Sequence, residues 1–206
     1  MKDYSQFGEQ EQILAVFAGL PPGRFLDIGA FDGETYSNSR ALYELGWGGV
    51  VVEPNAPAFA RLTQLYSQVD RVVCVNAAVL PSGPPRLVRF YSSRGEGLST
   101  TEEWHKKAWG ACLDSHYVAG LTTADLVAGI GQTGFDFVTV DTEGTNAAVF
   151  ASLPLRAWGV RAAIVEYDRF RGEADSGRAQ CEAYAASEGF RLRWANDLNL
   201  LFERHP

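Results

Sequence analysis

The order of apolar segments predicts an α/β fold: a Rossmann-like, mainly parallel seven-stranded sheet with helices on both faces and a C-terminal antiparallel hairpin. Three observations predict it. Gly49–Glu53 is rich in valine, as a strand buried on both faces should be. Stretches of helical period separate the apolar segments. Phe190–Trp194 and Asn199–Glu203, joined by a turn at 195–198, read as a closing strand pair. With 206 residues the chain fits one domain, 1–206, with a full core.

The elements follow in order. Residues 5–18 have helical spacing, and Pro21-Pro22-Gly23 stops that helix. Arg24–Gly29 is a short strand. A helix from about Thr35 to Leu45 ends at Gly46. Gly49–Glu53 is the second strand, Pro57 to about Tyr66 a helix with proline in its first turn, and Arg71–Asn76 the third strand. Arg86–Tyr91 alternates as a strand does. Residues 92–120, with Gly95, Gly97 and the aromatic residues Trp104, Trp109 and Tyr117, read either as a partly helical insertion covering the site or as an irregular connection. Thr123–Ala128 is a short helix. Phe135–Asp141 is the fourth strand, Asn146–Ser152 a helix, Arg161–Glu166 the fifth strand, and Ser176–Glu188 a helix before the hairpin.

Composition excludes several classes. The chain is 46% hydrophobic and 21% charged, ordinary for a globular protein. No apolar run reaches the roughly 20 residues that span a bilayer, so no membrane insertion is expected. The opening Met1–Gln6 lacks a secretory pattern. Cys74, Cys112 and Cys181 lie far apart and outside any C-x-x-C motif, which reads as reduced thiols and a cytoplasmic protein. Net charge is −7, with 18 basic residues against 25 acidic ones and no basic run. Nucleic acid is therefore not the expected partner. A small-molecule substrate is, on a monomer or homodimer.

The strongest local motif is Phe25-Leu26-Asp27-Ile28-Gly29-Ala30-Phe31-Asp32-Gly33, between a strand and a helix. Gly29 and Gly33 permit a sharp turn and close approach to a ligand. The spacing is G-x-x-x-G, not the G-x-G-x-x-G of dinucleotide binders. Asp27 and Asp32 crowd negative charge where a pyrophosphate would sit, but suit the ammonium-bearing tail of S-adenosylmethionine. Glu53 ends the Val50-Val51-Val52 strand, where a carboxylate accepts both ribose hydroxyls. The alternative is an acid at the start of the next helix. Pro54 and Asn55 follow it. Asn76-Ala77-Ala78-Val79 leaves room for an adenine ring, with Asn76 at its edge.

Ligands of open α/β sheets sit beyond the carboxyl ends of the strands. Two apolar strands end there in Val140-Asp141-Thr142-Glu143-Gly144 and Val165-Glu166-Tyr167-Asp168. Such acids are costly unless paired, hydrated or bound to a cation. Asp141, Glu143 and Glu166 are thus candidate catalytic residues, with helix capping the alternative for Glu143 and Asp168. His105 and His116 are candidate bases or surface residues, and His205 belongs to a loose tail. Asp141 and Glu166 could also hold a divalent cation such as magnesium, with Asp168 or Asn196 completing the shell. The metal-free reading is preferred. No D/N-P-P-Y/F/W motif follows the fourth strand, and no cysteine follows a proline, so exocyclic base amines and cytosine carbon are not the expected acceptors.

The chain resembles the FkbM-type methyltransferases along nearly its whole length. Tyr4-Ser5-Gln6-Phe7-Gly8-Glu9 resembles the family's S-Q-x-G-E opening. Phe25–Gly33, Thr35-Tyr36-Ser37-Asn38 and Gly46–Asn55 resemble its next three blocks in order, and Asn76–Val79, Gly97–Thr100 and Val140–Gly144 follow. The family continues D-x-E-G with x-E, whereas this chain has Thr145-Asn146. The resemblance implies a methyltransferase fold and S-adenosylmethionine as cofactor, with Gln6, Gly29, Ala30 and Asn38 joining Asp27, Asp32, Gly33, Glu53, Pro54, Asn55, Asn76, Ala77, Ala78 and Asp141 around it. It also implies methyl transfer, usually to a hydroxyl of a natural product, sugar or lipid. N- or carboxyl methylation and a non-catalytic cofactor-binding domain are the alternatives.

Overall fold

The computed structural model describes residues 1–92, 99–103, 114–167 and 177–205. The described elements are α1 (Glu9–Phe17), β1 (Arg24–Ile28), α2 (Arg40–Glu44), β2 (Gly48–Val52), α3 (Ala56–Tyr66), β3 (Val72–Val75), β4 (Ala78–Leu80), β5 (Arg86–Ser92), β6 (Ser99–Thr100), β7 (Asp114–Thr122), α4 (Thr123–Ile130), β8 (Phe137–Val140), α5 (Asn146–Phe150), α6 (Leu155–Trp158), β9 (Ala162–Glu166), α7 (Arg178–Ser187), β10 (Phe190–Ala195) and β11 (Asn199–Arg204).

Seven strands form one sheet in the order β10-β11-β9-β8-β1-β2-β3. Its β9-β8-β1-β2-β3 part is parallel, and β11 runs antiparallel to both β9 and β10. The predicted sheet and hairpin are both present. Side-chain alternation divides the core between the two faces. Phe25, Val51, Phe137 and Ile164 face one way, against Ile13 and Phe17 of α1, Leu42 of α2 and Leu62 and Tyr66 of α3. Leu26, Ile28, Val50, Val138 and Val165 face the other, against Leu126 of α4, Phe150 of α5, Leu155 of α6 and Cys181 and Ala185 of α7. This double burial is why the strands carry no polar alternation.

Three expectations are corrected. The first helix starts at Glu9 rather than at residue 5, after Gly8 in the left-handed region at φ 87°. The second covers only Arg40–Glu44. Before it, the Asp32 carboxylate accepts from the Glu34 and Thr35 amides and Tyr36 has φ 55°, so the backbone turns where a helix was expected. The described parts of 92–120 are largely strand, with Glu103 helical. β4, β7, β5 and β6 make a second sheet in that order, with β5 paired antiparallel to β7 from Arg86 to Ser92. α4 opens on a capping box between Thr122 and Asp125, which ties this sheet to the main core through Leu126 and Val127. His205, expected to be loose, donates its amide to Gly189 O. Cys74 and Cys181 are both free thiols. Among the described residues no helix is long and apolar enough to cross a membrane.

Candidate active site

The site begins where β1 and β8 end side by side. The Gly29 and Ala30 amides both donate to Val52 O, and the Asp141 amide donates to Ile28 O at 2.8 Å. Gly29 has φ +88°, and a Cβ there would lie 1.6 Å from the Asp141 carbonyl oxygen. Gly33, at φ +78°, would meet Leu62 at 2.7 Å. The close approach expected of a ligand is thus, at both glycines, an approach of protein to protein. It lets the strand ends converge on a cleft of about 610 Å³, part of it open to solvent. Gly29, Phe31, Glu53, Pro54, Ala77, Ala78, Val79, Phe90, Asp141 and Glu143 line it, with Ser99, Thr101, Thr142 and Thr145.

Glu53 is only 4% exposed. Its Oε2 accepts from the Phe31 amide at 2.9 Å and its Oε1 from the Asn55 amide at 2.6 Å. Burial nevertheless raises its pKa from 4.5 to about 7, since the charged form is desolvated. The helix-start reading of Glu53 is replaced, because Asn55 is the N-cap of α3 and accepts from the Ala58 amide. The Asn76 amide group donates to Glu53 O at 2.7 Å and to Pro54 O, so it fixes the turn that presents Glu53.

The remaining motif residues lie behind this wall. Asp27 is buried and accepts from Ser39 Oγ at 2.5 Å; burial, helped by the charge of Asp141, lifts its pKa from 3.8 to about 7. Asp32 holds its own turn through the Glu34 and Thr35 amides and Thr35 Oγ1. Asn38 donates to Thr139 on β8, Ala30 is buried in the α1–α3 core, and Gln6 is exposed.

The acids after β8 and β9 do converge. Ligand atoms of Asp141, Glu143 and Glu166 all lie within 4.8 Å of one another. Glu143 has φ 51°, a left-handed conformation uncommon outside glycine. Thr100 Oγ1 fastens it by donating to Glu143 O at 2.6 Å. Burial pushes the Glu166 carboxyl well above the usual carboxylate range, reinforced by Asp141, which hydrogen-bonds it, and by Glu143. Three oxygen donors at this spacing fit a hard divalent cation chemically.

Sequence reasoning missed Asn146. It is 4% exposed; its Oδ1 accepts from both the amide and the hydroxyl of Thr142, and its Nδ2 donates to Glu166 Oε2 at 3.3 Å. The signal was there, as the one departure from D-x-E-G-x-E. Asn196 does not complete a metal shell: its Nδ2 donates to Glu9 and its Oδ1 caps the hairpin turn. His116 is exposed on β7, its ring edge-on to Phe90 at 5.5 Å. His105, Trp104, Trp109 and Asp168 lie outside the described residues.

A parallel sheet whose last pairing is reversed by β11, with an acid ending β2 in a cleft at the carboxyl edge, defines a Rossmann-like methyltransferase. The chain belongs to the FkbM methyltransferase family: the model of the methyltransferase FkbM domain matches residues 27–192. It is an S-adenosylmethionine-dependent enzyme. Solved structures with the same fold include M. capricolum TrmK in complex with S-adenosyl-homocysteine (TM-score 0.52, 9% identity, 98% of this chain and 70% of that one). Precorrin-6y C5,15-methyltransferase from Geobacter metallireducens is similar too (TM-score 0.51, 8% identity, 95% and 88%). No curated protein matches the sequence.

Proposed function

We propose that the enzyme O-methylates a hydroxyl of a small molecule, in the cytoplasm, with Asp141 and Glu166 at the acceptor. The observation that carries this reading is the convergence of Glu166 with Asp141 and Glu143, two acids that line the same cleft as Glu53. Glu53 takes the ribose hydroxyls, Ala77–Val79 the adenine, and the amino-acid end runs toward Gly29 and Asp27. The acceptor oxygen attacks the sulfonium methyl in line. Its C–O bond forms as the C–S bond breaks, the electron pair stays on sulfur, and the hydroxyl proton passes to the Glu166 carboxylate. Glu143 shapes the acceptor side.

The same three acids suit a cation, which would acidify the hydroxyl directly. The metal-free reading is preferred because Glu166 already hydrogen-bonds Asp141 and accepts from Asn146. Transfer of a labelled methyl group to a panel of sugars, polyketides and lipids, with and without a chelator, tests both. Full turnover in chelator is expected, with a loss of about 10²–10⁴-fold in Glu166→Gln. Normal activity in both Asp141→Asn and Glu166→Gln would end the catalytic assignment.

A further inference from the structure

The short strand β6 lies directly against the acid cluster. It pairs antiparallel with the end of β5, Thr100 opposite Tyr91 and Ser99 opposite Ser92. Thr100 is fully buried. Its hydroxyl donates to Glu143 O at 2.6 Å and accepts from the Glu102 amide at 2.9 Å, so both bonds hold backbone. Side chains alternate along an extended chain, so Ser99 and Thr101 turn away from Thr100. Both line the cleft, together with Phe90 of β5. Two hydroxyls thus stand on either side of the bond that fixes Glu143, a carboxylate oxygen of which lies within 4.8 Å of those of Asp141 and Glu166.

The chemistry of this wall is selective. Thr142 and Thr145 line the cleft too, but their hydroxyls bond each other at 2.8 Å, and Thr142 also donates to Asn146 Oδ1. Ser99 and Thr101 are half-buried, and neither hydroxyl is engaged by a described residue. Each can donate one hydrogen bond and accept others. Among the described residues that line the cleft none is basic, whereas Glu53, Asp141 and Glu143 are acids. A phosphate or carboxylate on the acceptor would face like charge there without a counter-ion. A simple apolar alcohol would desolvate the two hydroxyls and leave them unpaired, which a site built for hydrogen bonds penalises. A neutral acceptor with further hydroxyls beside the reacting one satisfies them, and Phe90 offers its carbon skeleton an apolar contact.

We propose that Ser99 and Thr101 are specificity-determining residues of the acceptor site: they bind hydroxyls neighbouring the one that is methylated, and so select a neutral polyhydroxylated ring over anionic acceptors and over simple alcohols. The inference rests on the placement of the acceptor at Asp141 and Glu166 given above, and the transfer step itself is the one described there.

Transfer of a labelled methyl group to three sets of probes tests it: methyl glycosides of common hexoses, the corresponding hexose phosphates, and the simple alcohols cyclohexanol and benzyl alcohol. The parent enzyme should methylate a neutral glycoside with kcat/KM about tenfold or more above any phosphate or simple alcohol. Ser99→Ala and Thr101→Val should each raise the KM for that glycoside about fivefold to tenfold, the loss of one hydrogen bond, while S-adenosylhomocysteine binding by calorimetry stays within about twofold. No transfer to any glycoside, or a preference for phosphates or simple alcohols, overturns the substrate class. An unchanged KM in both variants, or an equal loss of S-adenosylhomocysteine affinity, overturns the assignment of the two hydroxyls. Glu166→Gln separates this from the catalytic reading: undiminished glycoside transfer in that variant removes Glu166 as the base, whereas a slowed Glu166→Gln beside unaltered Ser99→Ala and Thr101→Val removes only the specificity residues.

Discussion

Asp27 offers a test that needs no acceptor. It lies within β1, opposite Val51 on β2 and Thr139 on β8, and is 5% exposed. Its pKa rises from 3.8 to about 7, chiefly by burial and further by Asp141, with the Ser39 hydrogen bond opposing. Between those two values the folded state binds a proton that the unfolded state has lost. Unfolding then releases protons, so stability falls as pH climbs from about 4 to about 7 and stays low above. The gap corresponds to ~4 kcal/mol at pH 8. Asp27→Asn keeps an oxygen acceptor for Ser39 and removes the charge. The ligand-free variant should melt several degrees above the parent at pH 8, at roughly 2–4 °C per kcal/mol for a chain of this size. At pH 4 the two melts should coincide. Glu53 contributes in the same window but is common to both proteins. On the proposed cofactor placement, which runs the amino-acid end toward Asp27, the same variant should bind S-adenosylhomocysteine about tenfold more weakly. Circular-dichroism melts at both pH values decide the first point. A variant less stable than the parent at pH 8, or equally shifted at pH 4, would refute the reasoning.

Two further outcomes follow from the geometry. Gly29→Ala places a Cβ 1.6 Å from the Asp141 carbonyl at φ +88° and should cost more than about 4 kcal/mol; a parental urea midpoint would show that β1 and β8 do not close as described. With Glu166 held above the usual carboxylate range, kcat/KM should rise with pH along a limb that Glu166→Gln removes, whereas a flat parental profile over ~pH 5–8 would exclude it as the base.

The main sheet was legible because its strands are buried on both faces, which leaves Phe25–Ile28, Val50–Val52 and Phe137–Val140 apolar except for the buried Asp27 and Thr139. The second sheet was not. β7 reads Asp-Ser-His-Tyr-Val-Ala-Gly-Leu-Thr, mostly exposed, and its pairing with β5 is made across the segment between them. Acids closing apolar strands, such as Glu53 and Asp141, announce themselves in a sequence because burial there is costly. What a sequence cannot announce is convergence. Glu143 reaches the cluster through a left-handed backbone. Glu9 meets Asn196 and Asn199 across 187 and 190 residues of chain. Asn76 and Asp32 each hold a turn, because short polar side chains near a turn find backbone partners.

The acids also raise a question of charge. In the proposed reaction the sulfonium loses its positive charge as the methyl leaves. A fully ionised cluster beside it would stabilise the bound cofactor more than the transition state, which slows the step rather than speeding it. Two features work against that outcome. Glu166 and Asp141 hydrogen-bond one another, which two ionised carboxylates cannot do, so the pair keeps a proton above the usual carboxylate range. The position that carries a further acid in the family pattern is here Asn146, whose neutral amide donates to Glu166. The cluster thus carries less negative charge than its composition suggests while keeping an oxygen that can take the proton the acceptor releases. That proton is the one by-product of the transfer besides the demethylated cofactor. Glu166, held above the usual carboxylate range by burial and its neighbours, receives that proton in its ionised form, which is the origin of the pH limb predicted above.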